Sequence, residues 1–136
     1  MSEAQTLQRP TMKLALASTK EPRFVPGRRD FFRYRDLGVT EATGGKMRAQ
    51  VTTAITAMTR ETGWHYHTCD MQFVYALKGW VDLEFPGGRK VRLEAGDSVM
   101  IPGGLPHQET RTSDDFEILE ISVPAEMGTE RCDRPE

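Results

Sequence analysis

The sequence predicts an all-β domain made of two antiparallel sheets closed into a sandwich or barrel. Three observations carry that expectation. Short runs rich in Val, Ile, Thr and aromatic residues recur along the chain. Gly- and Pro-containing turn signals separate them at regular spacing. Two of the three histidines, His65 and His67, are two residues apart. In a strand that spacing puts both on one face, because side chains alternate.

Residues 1–28 contain Pro10, Pro22 and Pro26 among polar residues and read as an N-terminal arm. Phe31 to Val39 (FFRYRDLGV) is expected to be a short strand, followed by a turn over Glu41 to Lys46. Met47 to Met58 (MRAQVTTAITAM) has no breaker and a high β-branched density. It predicts a long strand, with a helix as the alternative by length alone. Met71 to Leu77, Trp80 to Phe85 and Arg89 to Leu93 are expected strands, with turns at Lys78-Gly79 and Pro86-Gly87-Gly88. Ser98 to Ile101, His107 to Thr112 and Phe116 to Val123 complete the set, and Pro124 stops the last one. The expected organisation is an arm at 1–28, one β-barrel domain at 29–124 and a C-terminal tail at 125–136.

A chain of 136 residues is long enough to bury a core without disulfides. Its net charge of −2, from 18 basic and 20 acidic residues, offers no basic excess for nucleic acid. No apolar run approaches the roughly 20 residues of a membrane span, and Leu14 to Ala17 is too short for a signal peptide core. A cytoplasmic location is the expectation. Cys69 and Cys132 form no disulfide framework and are expected to stay reduced there.

The histidines lie in two stretches, GWHYHTCDMQFVYALKG (63–79) and GDSVMIPGGLPHQET (96–110). In the first, Gln72 follows His67 by five and Gly79 follows Gln72 by seven. In the second, Gly96, Pro102, Gly104 and His107 are separated by five, one and two residues. Together these resemble the two motifs of the cupin superfamily, HxH-x3–4-E-x6-G and G-x5-P-x-G-x2-H-x3-N. The resemblance covers residues 59 to 111 and implies a small single-domain cupin. Such a protein is a double-stranded β-helix, the RmlC-like jelly-roll barrel of two antiparallel sheets. Three positions depart from the pattern: Thr59 stands for a glycine, Gln72 for the acidic ligand and Arg111 for the final Asn.

The resemblance assigns His65, His67 and His107 as ligands of one divalent transition metal. Imidazole nitrogen suits Fe, Ni, Zn, Co or Mn better than Ca or Mg. Gln72 either ligates through its amide oxygen or hydrogen-bonds a metal-bound water. With neutral ligands only, the site would keep the full +2 charge and favour anionic groups in its open positions. Strand parity places Glu109 and Arg111 on the face of His107. Arg111 is then either a clamp for a substrate carboxylate or phosphate, or a solvated residue at a strand end. Parity also puts Val74 and Ala76 with Gln72, and leaves Phe73 and Tyr75 on the outer face, where related cupins often dimerise. On the closing strand Glu120 is a candidate general base if it points inward. Its position resembles that of an active-site Asp in small cupins that open unsaturated uronate rings and use a His-His-Gln-His metal set. The aromatic and arginine of those proteins correspond here to Ser122 and Glu126, so their catalytic surroundings do not carry over. Cys69 reads as a loop or buried cysteine, with a metal-binding or crosslinking thiolate as the alternative. Trp64, Trp80 and Phe85 read as packing residues, with a substrate platform as the alternative.

The expected function is that of a metal-binding cupin acting as a small metalloenzyme on an organic acid or sugar-derived carbonyl. The chemistry would be Fe-dependent dioxygenation or a non-redox isomerisation or elimination. The alternative is a non-catalytic cupin that binds or senses a small molecule. A homodimer is the expected assembly, with no nucleic-acid or membrane partner.

Overall fold

A computed structural model describes residues 11–136. Its strands are β1 (Arg23–Val25), β2 (Phe32–Asp36), β3 (Arg48–Ala54), β4 (His65–His67), β5 (Met71–Lys78), β6 (Trp80–Phe85), β7 (Arg89–Glu94), β8 (Ser98–Pro102), β9 (Gln108–Thr112), β10 (Glu117–Val123) and β11 (Thr129–Arg131). Among the described residues one short α-helix, α1 (Val39–Ala42), lies between β2 and β3. One sheet has the order β1-β2-β3-β10-β5-β8. The facing side consists of β7-β6-β9 and β4-β11. An antiparallel bridge between His65 and His107 joins these two pieces. Every strand pair is antiparallel, as an all-β jelly roll requires.

The alternation read from sequence sets the inner faces. On β5, Gln72, Val74 and Ala76 are buried, while Tyr75 is exposed. On β10, Ile118 and Ser122 are buried on the same parity as Glu120. The apolar core is a cluster of Val74, Ala76, Val81, Leu83, Leu93, Phe116 and Ile118, drawn from both sheets. Between β5 and β6 the chain reverses at Gly79, whose φ of 63° lies in the left-handed region. A Cβ there would also overlap the Ser113 and Asp115 side chains. The motif glycine is therefore required by backbone conformation and by space.

Four segments differ from the sequence expectation. The run 47–58 is a strand and not a helix, but the strand spans only Arg48–Ala54; the Ile55 N–H still bonds the Phe31 carbonyl at 2.8 Å, in register with the β2–β3 pairing. The expected turn at 41–46 starts earlier, as α1. Inside the expected arm, β1 pairs with β2. Inside the expected tail, β11 pairs with β4, so the backbone groups of the histidine strand have partners on both edges. Residues 1–10 of the expected arm lie outside the described residues.

Candidate metal centre

The three-residue strand β4 turns His65 and His67 inward, and both are almost fully buried. Paired backbone hydrogen bonds between His65 and His107, at 3.0 and 2.9 Å, bring the third imidazole beside them. Ring centroids are 5.1 Å apart for His65–His67, 4.6 Å for His65–His107 and 5.1 Å for His67–His107. The candidate ligand atoms all lie within 4.8 Å of one another.

Each ring is held through Nδ1. His65 Nδ1 donates to the Gly63 carbonyl at 2.7 Å, and His107 Nδ1 donates to the Leu105 carbonyl at 2.9 Å. His67 Nδ1 lies 3.1 Å from the Gly128 carbonyl and 3.0 Å from Thr129 Oγ1. With the proton on Nδ1, the lone pair of each neutral ring sits on Nε2. Nε2 of His65 and of His107 is buried with no hydrogen-bond partner. Burial, reinforced by the nearness of the His107 imidazole, lowers His67 to about 4. Burial also lowers His65. Neutral, pre-oriented imidazoles with unpartnered buried nitrogens are what a transition metal requires. The residues present therefore fit the metal that the sequence implied.

Gln72 is buried on β5 between Ile101 of β8 and Ser122 of β10. Its Nε2 donates to Glu120 Oε2 at 3.1 Å, while its Oε1 is buried and unpartnered. The carboxylate thus orients the amide so that the oxygen, the only atom able to ligate, is left free. The other Glu120 oxygen accepts from Arg48 Nη2 at 2.8 Å and Gln50 Nε2 at 3.1 Å, both on β3. Burial raises Glu120, against the lowering by Arg48 and by the Gln72 and Gln50 hydrogen bonds.

Glu109 lines the same cavity. Its Oε2 is 3.5 Å from His65 Nε2 and accepts from Thr62 Oγ1 at 3.1 Å. Burial pushes this carboxyl up, but the neighbouring His65 and His107 imidazoles and the Thr62 hydroxyl outweigh it and hold it below the ordinary value. Arg111 is not on this face. The β6–β9 register pairs Asp82 with Arg111 and then Leu83 with Glu109, leaving Thr110 as an extra residue. That bulge reverses the parity. Thr112 then joins Glu109 on the cavity wall, while Arg111 is exposed on the side of Asp82. Cys69 is buried, with its thiol pushed up by that burial, and it is not part of the ligand cluster.

The cavity has a volume of about 140 Å³. Its inner wall is apolar, with Val74, Val81, Leu83 and Phe116 among its residues, and His67, Gln72, Arg48, Glu109 and Glu120 are among its polar ones. Sequence reasoning missed Arg48, Gln50, Thr62 and Thr129. None stands in a motif, and each reaches the site only through a pairing distant in sequence.

The Cupin domain family model matches residues 54–122, half of the chain. A curated relative, the uncharacterized protein YjlB of Bacillus subtilis (strain 168), is 33% identical over 57 residues, 40% of this chain. The match spans only 34% of that protein's length. Among solved structures, KdgF from Halomonas sp. is similar at a TM-score of 0.65 and 17% identity, over 80% of this chain and 94% of that one. An RmlC-like cupin from Shewanella frigidimarina NCIMB 400 is similar at a TM-score of 0.66 and 16% identity, over 85% and 96%. At these identities the two structures speak for the fold alone, and that fold agrees with the family match: the chain belongs to the cupin domain family.

Proposed function

We propose that this cupin is a small metalloenzyme that binds one divalent transition metal, Fe, Ni, Zn, Co or Mn, through His65, His67, His107 and Gln72. It acts on an organic acid or sugar-derived carbonyl. The observation that carries this reading is the pinning of all three Nδ1 atoms, with His65 and His107 Nε2 and Gln72 Oε1 left buried and unpartnered. Such atoms cost about 1–3 kcal/mol each unless something binds them. A bound divalent ion would supply a Lewis acid with open coordination positions.

The protein side of the chemistry divides between two glutamates. Both Glu120 oxygens are engaged, by Arg48, Gln50 and Gln72, which supports a role in orienting Gln72 over the general-base role. Glu109 is held by one hydroxyl and stands 3.5 Å from a ligand nitrogen. It is placed to take a proton from substrate at Oε2 and return it. The apolar wall keeps water away from that transfer. Arg111, on the outer side, has no part in it. For the assembly, the exposed side chains Met71, Tyr75 and Leu77 of β5 and Met100 of β8 support a homodimer through the outer face of the large sheet.

Elemental analysis of protein purified without chelator tests the metal, with one equivalent expected. His65→Ala and His107→Ala should each lose it while far-ultraviolet circular dichroism stays that of a β protein. Full occupancy in both variants would overturn the site. Iron would direct assays to oxygen uptake with small organic acids, and zinc, nickel, cobalt or manganese to isomerase and lyase assays. A bound metal with no turnover in either set would leave the binding or sensor role.

A further inference from the structure

The segment Pro26-Gly27-Arg28-Arg29 lines the cavity, although it belongs to neither sheet. It is latched by one side chain. The Arg29 N–H donates to Tyr34 Oη at 3.1 Å, and Gly27 lies against the Tyr34 ring so closely that a Cβ would overlap it. Tyr34 itself projects from β2 into the cavity lining.

The charges on the cavity wall are unequal. Arg28, Arg29 and Arg48 line it, against Glu109 and Glu120. Arg48 is committed to Glu120, and Glu109 to Thr62 and His65. Among the described residues, neither Arg28 nor Arg29 makes an ion pair. The charge of Arg28 is nevertheless felt weakly at Tyr34 and at His65, so it lies within electrostatic reach of His65. Two arginines without an ion-pair partner on the lining of a chamber with one apolar wall are a receptor for an anion with an apolar body.

We propose that the 26–29 strap is the carboxylate-binding wall of the cavity. Arg28 and Arg29 take the anionic end of a short organic acid, and a carbonyl or hydroxyl oxygen at its other end faces the histidines. This rests on the metalloenzyme reading for the role of the histidine end only. The strap also selects for length, since the substrate must span from the guanidiniums to the ligand cluster along the apolar wall. Uncharged carbonyl compounds and long chains are then poor ligands.

The test is calorimetric titration of the zinc-loaded protein with 4-oxopentanoate and with its uncharged amide. The wild type should bind the carboxylate about tenfold or more tightly than the amide, with the preference falling as salt rises. The double variant Arg28→Gln/Arg29→Gln should lose that preference and leave amide binding unchanged. Gly27→Ala, which displaces the strap while keeping both arginines, should also lose it. A wild type without preference, or a double variant that keeps it, overturns the assignment. Zinc content is measured on the same samples. One equivalent of zinc without carboxylate preference sinks the strap and leaves the metal reading standing. Carboxylate preference without zinc supports the strap and sinks the metal reading.

Discussion

At each of the three histidines one nitrogen is held by the protein and the other is left to a ligand. For His67 this arrangement has a pH signature. Its ordinary value is 6.5, and burial lowers it to about 4. Between those values the unfolded chain binds a proton that the folded chain does not, so stability falls as the pH falls through that window. A depression of this size corresponds to about 3 kcal/mol. Thermal melts of chelator-treated protein should show that loss between pH 6.5 and 4, and His67→Gln should flatten the profile. An unchanged profile in the variant would assign the acid sensitivity elsewhere. Gln72 offers a second test. Gln72→Glu sets a carboxylate 3.1 Å from Glu120 in place of a hydrogen bond, a like-charge contact that costs about 1–3 kcal/mol without metal. Metal neutralises it, so the variant should melt lower than wild type when stripped and recover when loaded. It should also bind metal at least as tightly and react differently. Equal melts, affinity and kinetics in both states would remove Gln72 from the metal's ligands. Arg48→Ala leaves the half-buried Glu120 without its cation and should cost about 2 kcal/mol, less than a fully buried pair because both side chains are partly exposed. Urea denaturation measures it.

Among the elements, β4 and β11 form a unit. Three residues of β11 close the free edge of the histidine strand, and Gly128 and Thr129 hold the His67 ring. Ending the chain at Met127 should therefore lower metal affinity about 10–100-fold, the usual effect of losing the groups that orient a ligand. The six-stranded sheet should remain, as read by circular dichroism. Metal affinity equal to that of the full chain would show that β11 does not position the site. The histidine strand was legible from HxH, but β11 was not: Thr-Glu-Arg has no apolar alternation to mark a strand, and it forms because β4 offers it an edge. The β9 bulge was equally hidden. Parity counting from His107 places Arg111 inward, and one extra residue, Thr110, turns it out.

For the whole molecule, the outer face of the large sheet carries Met71 and Tyr75 alongside Met100. Leu14 and Leu16 on the N-terminal segment are 86% and 87% exposed. Burying Met71, Tyr75 and Met100 against a second copy is the proposed use of this face. Tyr75→Glu combined with Met100→Glu should shift sedimentation from dimer to monomer without lowering metal content. A wild type that sediments as a monomer would refute the dimer.

The sequence by itself determined the all-β class, the inward parity of β5 and the two stretches that bring in the histidines. Those properties are local: alternation, turn residues and motif spacing act over a few neighbouring positions. Tertiary structure alone decided which atoms converge. Glu120 meets Gln72 across 48 residues and Arg48 across 72, and Thr129 meets His67 across 62. Sheet register sets these meetings, and one bulge or one edge strand changes the result. The histidines could be found before folding. The orientation of their rings, the direction of the Gln72 amide and the exclusion of Arg111 could not, because each depends on a strand from a distant part of the chain.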